Sequence, residues 1–344
     1  MKIDLLLKNS YKADFLFHFL DLSIISNDKK ILDYFLFFFD LFLKKNEDMN
    51  NNHTFFILIN HEDDSSILKE FNSKHNRYSV VIPIYYPYAL RGSFCDNEFY
   101  FNIDDLVIGI YNQISKEAII VFNKIFLNQG PSIFLKAFTI VLSELLRYKN
   151  YFMLHCSSLC YRENGVNFIG PGGYGKSTIL TNLLKYEDFM YLSDDVTIFG
   201  KEGGSFRAYA FTNKVNLLSD TINRINSNQG IKIIPYVRSR EGKYFCEISG
   251  GYKDNFKYSC PVKYNIFLSN ERYNDVRVIE EPPDTLNLLS DNSNMPFSDD
   301  YLIYHINNIN KLHRSSRNFR LFLTNNIKES TDYIYKFIEQ IDKS

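Results

Sequence analysis

Residues 170–177 read Gly-Pro-Gly-Gly-Tyr-Gly-Lys-Ser, a full match to the G-x4-G-K-[ST] pattern of a phosphate-binding loop. Such a loop needs an apolar strand before it and a helix after it. The chain offers both: Val166 to Ile169 in front, and a helical stretch starting at Ser177 and running through Ile179 to Leu184. Each residue type has a chemical reason. Gly170, Gly172, Gly173 and Gly175 permit the positive φ values that let successive backbone N–H groups converge on an anion. Lys176 supplies a point charge for β- and γ-phosphates, and the Ser177 hydroxyl is a ligand for Mg²⁺. The positive end of the helix faces the same point, with Tyr174 and Thr178 completing the stretch that touches a nucleotide. A plain glycine-rich turn would account for neither the strand nor the helix.

Two further features stand near this loop. Phe152 to Tyr161 reads as one apolar strand, Arg162 to Gly165 as a tight turn and Val166 to Ile169 as its return, a hairpin feeding the loop. His155 lies on that hairpin, 15 residues before Gly170. A single histidine on an apolar strand is in most proteins a satisfied core or surface residue. Asp194 and Asp195 follow Lys176 by 18 and 19 residues and close a short strand, Tyr191 to Ser193. An isolated Asp-Asp pair is ordinarily a solvated turn. After a phosphate loop, however, carboxylates at a strand end can hold Mg²⁺ or take a proton from an acceptor, and two adjacent acids can divide those tasks.

The chain of 344 residues is long enough for two domains, and the composition changes character near residue 150. The expected division is an N-terminal α+β domain over 1–150 and a phosphate-loop domain with a mixed sheet over 151–344, an α/β protein overall. In the first half, Asp28 to Lys45 reads as an apolar helix, Thr54 to Ile59 and Tyr78 to Ile84 as buried strands, and Asp48 to His53 as a surface loop. Residues 115–126 form one element and 132–148 an amphipathic helix. No metal-ligand spacing or nucleophile arrangement occurs there, so packing or substrate docking is its expected task. A final helix is expected at Ser330 to Ile341.

Charge balance removes several classes of partner. With 39 Lys+Arg against 40 Asp+Glu, the net charge of −1 provides no overall field for nucleic acid or an acidic membrane. The greasiest run, Tyr34 to Leu43, is about half the ~20 residues of a spanning helix and contains Asp40, so no membrane segment is expected. The N-terminus has no signal-peptide pattern. Five cysteines at unpaired spacings read as reduced thiols, and a cytoplasmic protein is expected.

Taken together, the stretch from Met153 to Phe199, with His155, the loop and Leu192-Ser193-Asp194-Asp195 in that order, resembles the C-terminal catalytic domain of the HPr kinase/phosphorylase family. It is more similar to the HPr-kinase-related kinases of peptide-modification gene clusters, including the lasso-peptide precursor kinases. The resemblance implies an ATP- and Mg²⁺-dependent kinase that phosphorylates a hydroxyl, in the first instance a Ser of a small peptide or protein, and it leaves room for a homo-oligomer. It places His155 near the transferred phosphoryl group and makes Asp195 the base, with Asp194 assisting through metal or water. The gap between loop and acids is one residue longer than in the HPr kinases proper, which leaves the division between the two acids open.

Departures from the family matter as well. The arginine-rich second signature of the HPr kinases proper is missing, which argues against a phosphorylase activity and against HPr as substrate. Lys263, in Cys260-Pro-Val-Lys263, stands roughly where that family has a P-V-R element; it is either a phosphate contact or a solvated lysine at a strand start. Arg238, Arg240 and Lys243, with Arg207 a more distant addition, form either a phosphate clamp or an exposed hairpin turning at Glu241-Gly242. A kinase for a free amino acid or sugar, and a non-catalytic nucleotide-binding regulator, stand as alternatives.

Overall fold

The computed structural model describes residues 7, 10–44, 53–60, 80–85, 88–95, 97–104, 106–128, 130–227, 232–239, 242–249, 256–282, 284–293 and 299–343. They form an α/β protein with mixed parallel and antiparallel sheets. The chain divides into two compact units, Met1–Lys149 with Pro296–Leu302, and Asn150–Met295 with Ile303–Ser344. No helix among the described residues is long and apolar enough to cross a membrane.

The first unit contains β1 (Tyr11–Phe17), β2 (Leu20–Ser26), α1 (Lys29–Phe38), β3 (His53–Asn60), β4 (Val80–Tyr85), β5 (Tyr88–Cys95), β6 (Glu98–Ile103), β7 (Val107–Asn112), β8 (Glu117–Asn123) and α2 (Ser132–Tyr148). Its eight strands lie in the order β1-β2-β3-β8-β7-β6-β5-β4, parallel at β2–β3 and β3–β8 and antiparallel elsewhere. Helix α1 starts where expected, because the Asp28 carboxylate accepts from the N–H groups of Lys30 and Ile31. It stops at Phe38, seven residues short of Lys45. Phe39 leaves the helical region with φ −123° and packs edge-on against Phe15 and Phe17 of β1. Packing of consecutive phenylalanines overrides helix propensity here. The expected loop at Asp48 to His53 falls outside the described residues up to residue 52, as do Tyr78 and Ser79, and the element expected over 115–126 is strand β8 followed by a 3₁₀ turn.

His53 in this unit makes a pH-dependent contribution to stability. It is buried, its Nδ1 lies 3.2 Å from the Tyr111 hydroxyl, and burial together with the charges of Lys149 and Lys116 lowers its pKa to about 4. An unfolded chain therefore binds more protons than the folded one between about pH 6.5 and 4. The stabilisation is fully present above that window and is lost as pH falls through it, a loss of about 3 kcal/mol at most. Denaturant titrations between pH 7 and 4 should show a shallower loss for His53→Gln than for wild type. Equal slopes would remove His53 as the cause.

The second unit contains β9 (Tyr151–Leu154), β10 (Cys156–Tyr161), β11 (Asn164–Ile169), α3 (Lys176–Leu183), β12 (Phe189–Ser193), β13 (Thr197–Glu202), β14 (Ser205–Ala210), β15 (Val215–Leu217), α4 (Ser219–Ser227), β16 (Lys232–Arg238) and β17 (Tyr244–Ser249). There follow β18 (Ser259–Arg272), β19 (Arg277–Glu280), α5 (Thr285–Asp291), α6 (Asp299–Ser315), β20 (Arg317–Leu323) and α7 (Ile327–Lys343). The hairpin of β10 and β11 pairs Cys156 with Ile169 and Tyr161 with Asn164. Strand β12 flanks β10 antiparallel, while β18 and β20 continue beyond β11 in parallel. Leu159, Tyr161, Val166 and Phe168 of the hairpin, Ile179, Leu180 and Leu183 of α3, and Ile334 and Ile338 of α7 share one core. A ladder of buried side chains crosses the sheet: Ser158 donates to Asn167, Asn167 to Asn265 and Asn265 to Asn318. Each polar group in the ladder has a partner, so it locks strand register without leaving an unpaired donor.

Two expectations are corrected by this arrangement. The strand read as continuous from Phe152 to Tyr161 is two strands with His155 at the break. Strand β9 pairs with β13, whereas β10 pairs with β11 and β12. The chain changes partners at His155, a long-range event that an unbroken apolar run does not reveal. The helix after the loop begins at Lys176, one residue earlier than expected, and ends at Leu183.

Candidate functional site

The topology explains why the sequence features meet. Strands β11 and β12 lie on either side of β10 and run in the same direction, so both end at one edge of the sheet, where β10 begins. The loop leaves β11 at that edge, Asp194 and Asp195 leave β12, and His155 precedes β10. Register places them at one level, with Cys156 opposite Ile169, Ser158 opposite Ser193 and Leu154 opposite Thr197.

Gly175 is left-handed, with φ 96°, and no side chain caps the helix that starts after it. The first N–H groups of α3 thus lack both an intrahelical and a side-chain partner, the arrangement that receives anions. Gly170 has φ 154°, and a Cβ there would lie 3.2 Å from the Leu268 carbonyl oxygen, so this position is glycine for lack of room. Gly173 also has positive φ; Gly172 does not, against expectation. No atom lies within 4 Å of where a Cβ would stand at Gly172, Gly173 or Gly175. Packing within the chain therefore does not require glycine at these three, and bare backbone there leaves room for a ligand. Tyr174 packs on the domain core, and Thr178 is half-buried in the first turn of α3.

Lys176 is buried, only 6% exposed, and its ammonium has three acceptors: the carbonyl oxygens of Gly170 at 2.5 Å and Pro171 at 3.0 Å, and Nε2 of His155 at 3.0 Å. Burial lowers its pKa, and the carboxylates of Asp195 and Asp194 oppose that shift. Because lysine can only donate, Nε2 of His155 accepts and its Nδ1 carries the proton. Nδ1 lies 2.8 Å from the backbone oxygen of Asp195 and 3.2 Å from its carboxylate. The His155 N–H is anchored on the Asn292 carbonyl at 2.7 Å.

The two acids occupy different environments. Asp194 is 1% exposed and accepts from Ser157 Oγ at 2.5 Å, from the Asn216 N–H at 3.1 Å and from the Ser177 hydroxyl. Burial, then the neighbouring Asp195, raises its pKa against those three hydrogen bonds. The Asp195 side chain is about half exposed (49%). Burial of its surroundings pushes its pKa up, but the hydrogen bond from His155, then the charges of Lys243 and Lys176, outweigh this and hold it at about 2. Its backbone is unusual as well. Val196 N–H donates to the Asp194 carbonyl at 2.9 Å across Asp195, which sits at φ 69° in the centre of a three-residue turn. A non-glycine residue held this way stores about 1–3 kcal/mol of strain, and the turn aims one carboxylate inward and the next outward. Ser193 Oγ braces it, donating to the Val196 carbonyl and accepting from the Phe211 N–H.

The remaining basic candidates separate. Lys263 lies at the other edge of the sheet, where Val262 pairs with Gly165, and its ammonium is 2.7 Å from Asp342. It is a structural ion pair away from the loop, because β18 runs parallel to β11 and enters where β11 enters. Arg207 on β14 pairs with Glu202 and donates to Ser259. Arg238 is exposed at the end of β16, with its guanidinium 5.9 Å from the centre of the Tyr244 ring, and Arg240 lies outside the described residues. The expected turn at Glu241-Gly242 lies outside the described residues at Glu241. Among the described basic candidates, Lys243 is the one whose charge bears on both Asp195 and Lys176. Sequence reading missed Ser157 and Asn216, which saturate Asp194. Neither carries a motif, and only the register of β10 and the return of β15 bring them there.

Among the described residues no group of three or more His, Cys, Asp or Glu could hold a metal ion. The chain instead offers one hydroxyl and one carboxylate in contact, Ser177 and Asp194. This oxygen set suits Mg²⁺, which keeps waters and shares substrate phosphates as its other ligands.

No family model matches the chain, and no curated protein matches it. Among solved structures it is similar to the Hpr(Ser) kinase/phosphatase from Coxiella burnetii, at 12% identity over 55% of this chain and 98% of that one, with a TM-score of 0.28. At that level of similarity, what the second unit does must be read from the geometry of its own site.

Proposed function

We propose that the chain is an ATP-dependent phosphotransferase that moves the γ-phosphoryl group to a hydroxyl, first of all a Ser of a small peptide or protein. One observation carries this reading: a buried lysine, a hydroxyl–carboxylate pair and a solvent-open carboxylate converge at the end of a phosphate-loop strand. The loop N–H groups and Lys176 would bind and orient the β- and γ-phosphates. Ser177 and Asp194 would hold Mg²⁺, which when bound neutralises phosphate charge. The half-exposed Asp195 is the group an acceptor can reach, and His155 fixes its backbone.

In the reaction, the acceptor oxygen bonds to the γ-phosphorus as the bond to the bridging oxygen breaks and its electron pair leaves on ADP. The acceptor proton passes to Asp195. A carboxylate held at about 2 is a weak base, but in a loose transition state that proton moves late and needs only an oriented acceptor. Asp194, buried and saturated with donors, is poorly placed for that task. The peptide acceptor follows from the resemblance to kinases of peptide-modification gene clusters, and substrate docking is the task proposed for the first unit.

Intact-mass spectrometry after incubation with Mg-ATP tests the reading, starting with short peptides encoded beside the gene, then free serine and a sugar panel, with Lys176→Ala as blank. One added phosphoryl group on a peptide, from wild type only, is the expected result. Transfer to serine or a sugar alone would replace the peptide acceptor with a metabolite. No transfer to any acceptor, with ATP still bound, would replace the kinase with a nucleotide-binding regulator.

A further inference from the structure

We propose that Ser293 and His305 are positioning residues for His155. Together they hold the end of α5 against the break between β9 and β10, and so set the seat from which one imidazole reaches Lys176 and Asp195 at once. The inference rests on the phosphotransferase reading only for its effect on transfer.

The break in the strand creates the need. Leu154, the last residue of β9, pairs with Thr197 on β13, and Cys156, the first of β10, pairs with Ile169 on β11. His155 between them belongs to neither ladder, and its N–H donates to the Asn292 carbonyl at 2.7 Å. Ser293 forms an isolated antiparallel bridge with Leu154. The chain leaving α5 thus stands in for a neighbouring strand where the sheet changes partners.

Two side chains fix that segment. Ser293 Oγ donates to the Ser290 carbonyl at 2.7 Å, in the last turn of α5. Nε2 of His305 on α6 lies 3.1 Å from the same hydroxyl. A hydroxyl has one proton, and here the carbonyl takes it, so Nε2 of His305 carries hydrogen and donates. His305 is 1% exposed, and its ring meets Phe152 of β9 edge-on, with centres 5.8 Å apart at 88°. One buried side chain therefore touches both the bridging residue and the strand that it bridges to. His313, about two turns further along α6, repeats the device at the start of α5. Its Nε2 lies 2.7 Å from Thr285 Oγ1, which donates to the Pro282 carbonyl at 2.9 Å. That second clasp is about 10 Å along the helix from Asn292.

The consequence for the site is geometric. The His155 ring spans Lys176 Nζ, 3.0 Å from Nε2, and the backbone oxygen of Asp195, 2.8 Å from Nδ1. An imidazole has fixed dimensions, so a shift of its backbone by about 1 Å takes one of the two contacts out of hydrogen-bonding range. Misplacement of that size in a reacting site can cost about 100-fold in rate.

Long-range nitrogen-15 NMR of the His155 ring reads the seat in the free protein, with its resonances identified by their loss in His155→Gln. Wild type should show one tautomer, with Nδ1 protonated and Nε2 bare. Ser293→Ala and His305→Phe, the latter keeping a ring against Phe152, should draw the two nitrogen shifts together as the tautomers mix. His305→Gln, which keeps a donor, should recover most of the wild-type pattern. Thr285→Val removes the matching bond at the far end of α5 and should leave both shifts in place, with a similar loss of thermal midpoint. In single-turnover phosphoryl transfer from Mg-ATP, Ser293→Ala and His305→Phe should be slower by about 10- to 100-fold, with Mg-ATP affinity within about threefold of wild type. Unchanged His155 shifts in those two variants, an equal change in Thr285→Val, or transfer at the wild-type rate would overturn the positioning role. Absence of transfer by wild type, with the shifts as expected, would instead overturn phosphoryl transfer and leave the seat standing.

Discussion

Lys176→Ala should weaken Mg-ATP binding by at least about 100-fold, because hydrogen bonds to a charged group contribute about 1.5–3 kcal/mol each and about 1.4 kcal/mol is tenfold in affinity. The side chain is buried, within reach of Gly170, Pro171 and His155, and among the described residues no other ammonium or guanidinium hydrogen-bonds to those groups. The empty loop should tolerate the change. Burial already disfavours the ammonium, as its lowered pKa shows, so removing the charge also removes a desolvation cost. Calorimetry with Mg-ATP, alongside a thermal melt of the free protein, measures both parts. Affinity kept within threefold of wild type would show that the loop binds something other than a nucleotide triphosphate.

Asp195→Asn should leave nucleotide binding within a few-fold of wild type and slow transfer by about 10²–10⁴-fold, the range for removal of a positioned base. Asparagine is nearly isosteric and tolerates the left-handed backbone that this position requires at φ 69°. The bond from His155 to the backbone oxygen of residue 195 needs no carboxylate and should survive. What disappears is the half-exposed charge available to an acceptor. The same change at Asp194 should behave differently, because it removes a buried acceptor of three donors, Ser177 among them, and so should weaken Mg-ATP binding as well as transfer. Nucleotide affinity and single-turnover transfer, measured on both variants, distinguish the two acids. Turnover retained in Asp195→Asn would move the base elsewhere.

Much of the site is legible in the sequence because a phosphate loop is a local object. Eight consecutive residues carry its glycines, lysine and hydroxyl, and the flanking strand and helix are read from apolar spacing in the same short stretch. The acidic pair is legible for a similar reason, as it closes a strand at a fixed distance from the loop. Errors appear where a residue answers to distant partners. His155 is not within a strand but at the point where the chain leaves β13 for β11 and β12. Helix α1 ends early because Phe39 finds rings on β1. Lys263 resembled a phosphate contact by its place in the sequence, yet the parallel direction of β18 carries it to the opposite edge, beside Asp342.

The sequence by itself determined an α/β scaffold and a glycine-rich loop with the pattern of a phosphate-binding loop, and it named the lysine, hydroxyl, acids and histidine around it. Those residues are specified by short-range backbone conformation and by residue type, which need no knowledge of the remaining chain. Only the tertiary structure decided which acid is saturated and which is open, and that Lys263 lies away from the loop. Both follow from strand register. Ser157 and Asn216 come from β10 and β15 to enclose Asp194, leaving Asp195 half in solvent, and the parallel pairing of β18 with β11 carries Lys263 to Asp342. Hydrogen-bond saturation and charge proximity depend on distances between segments far apart in the chain, and those distances exist only once the sheets have formed.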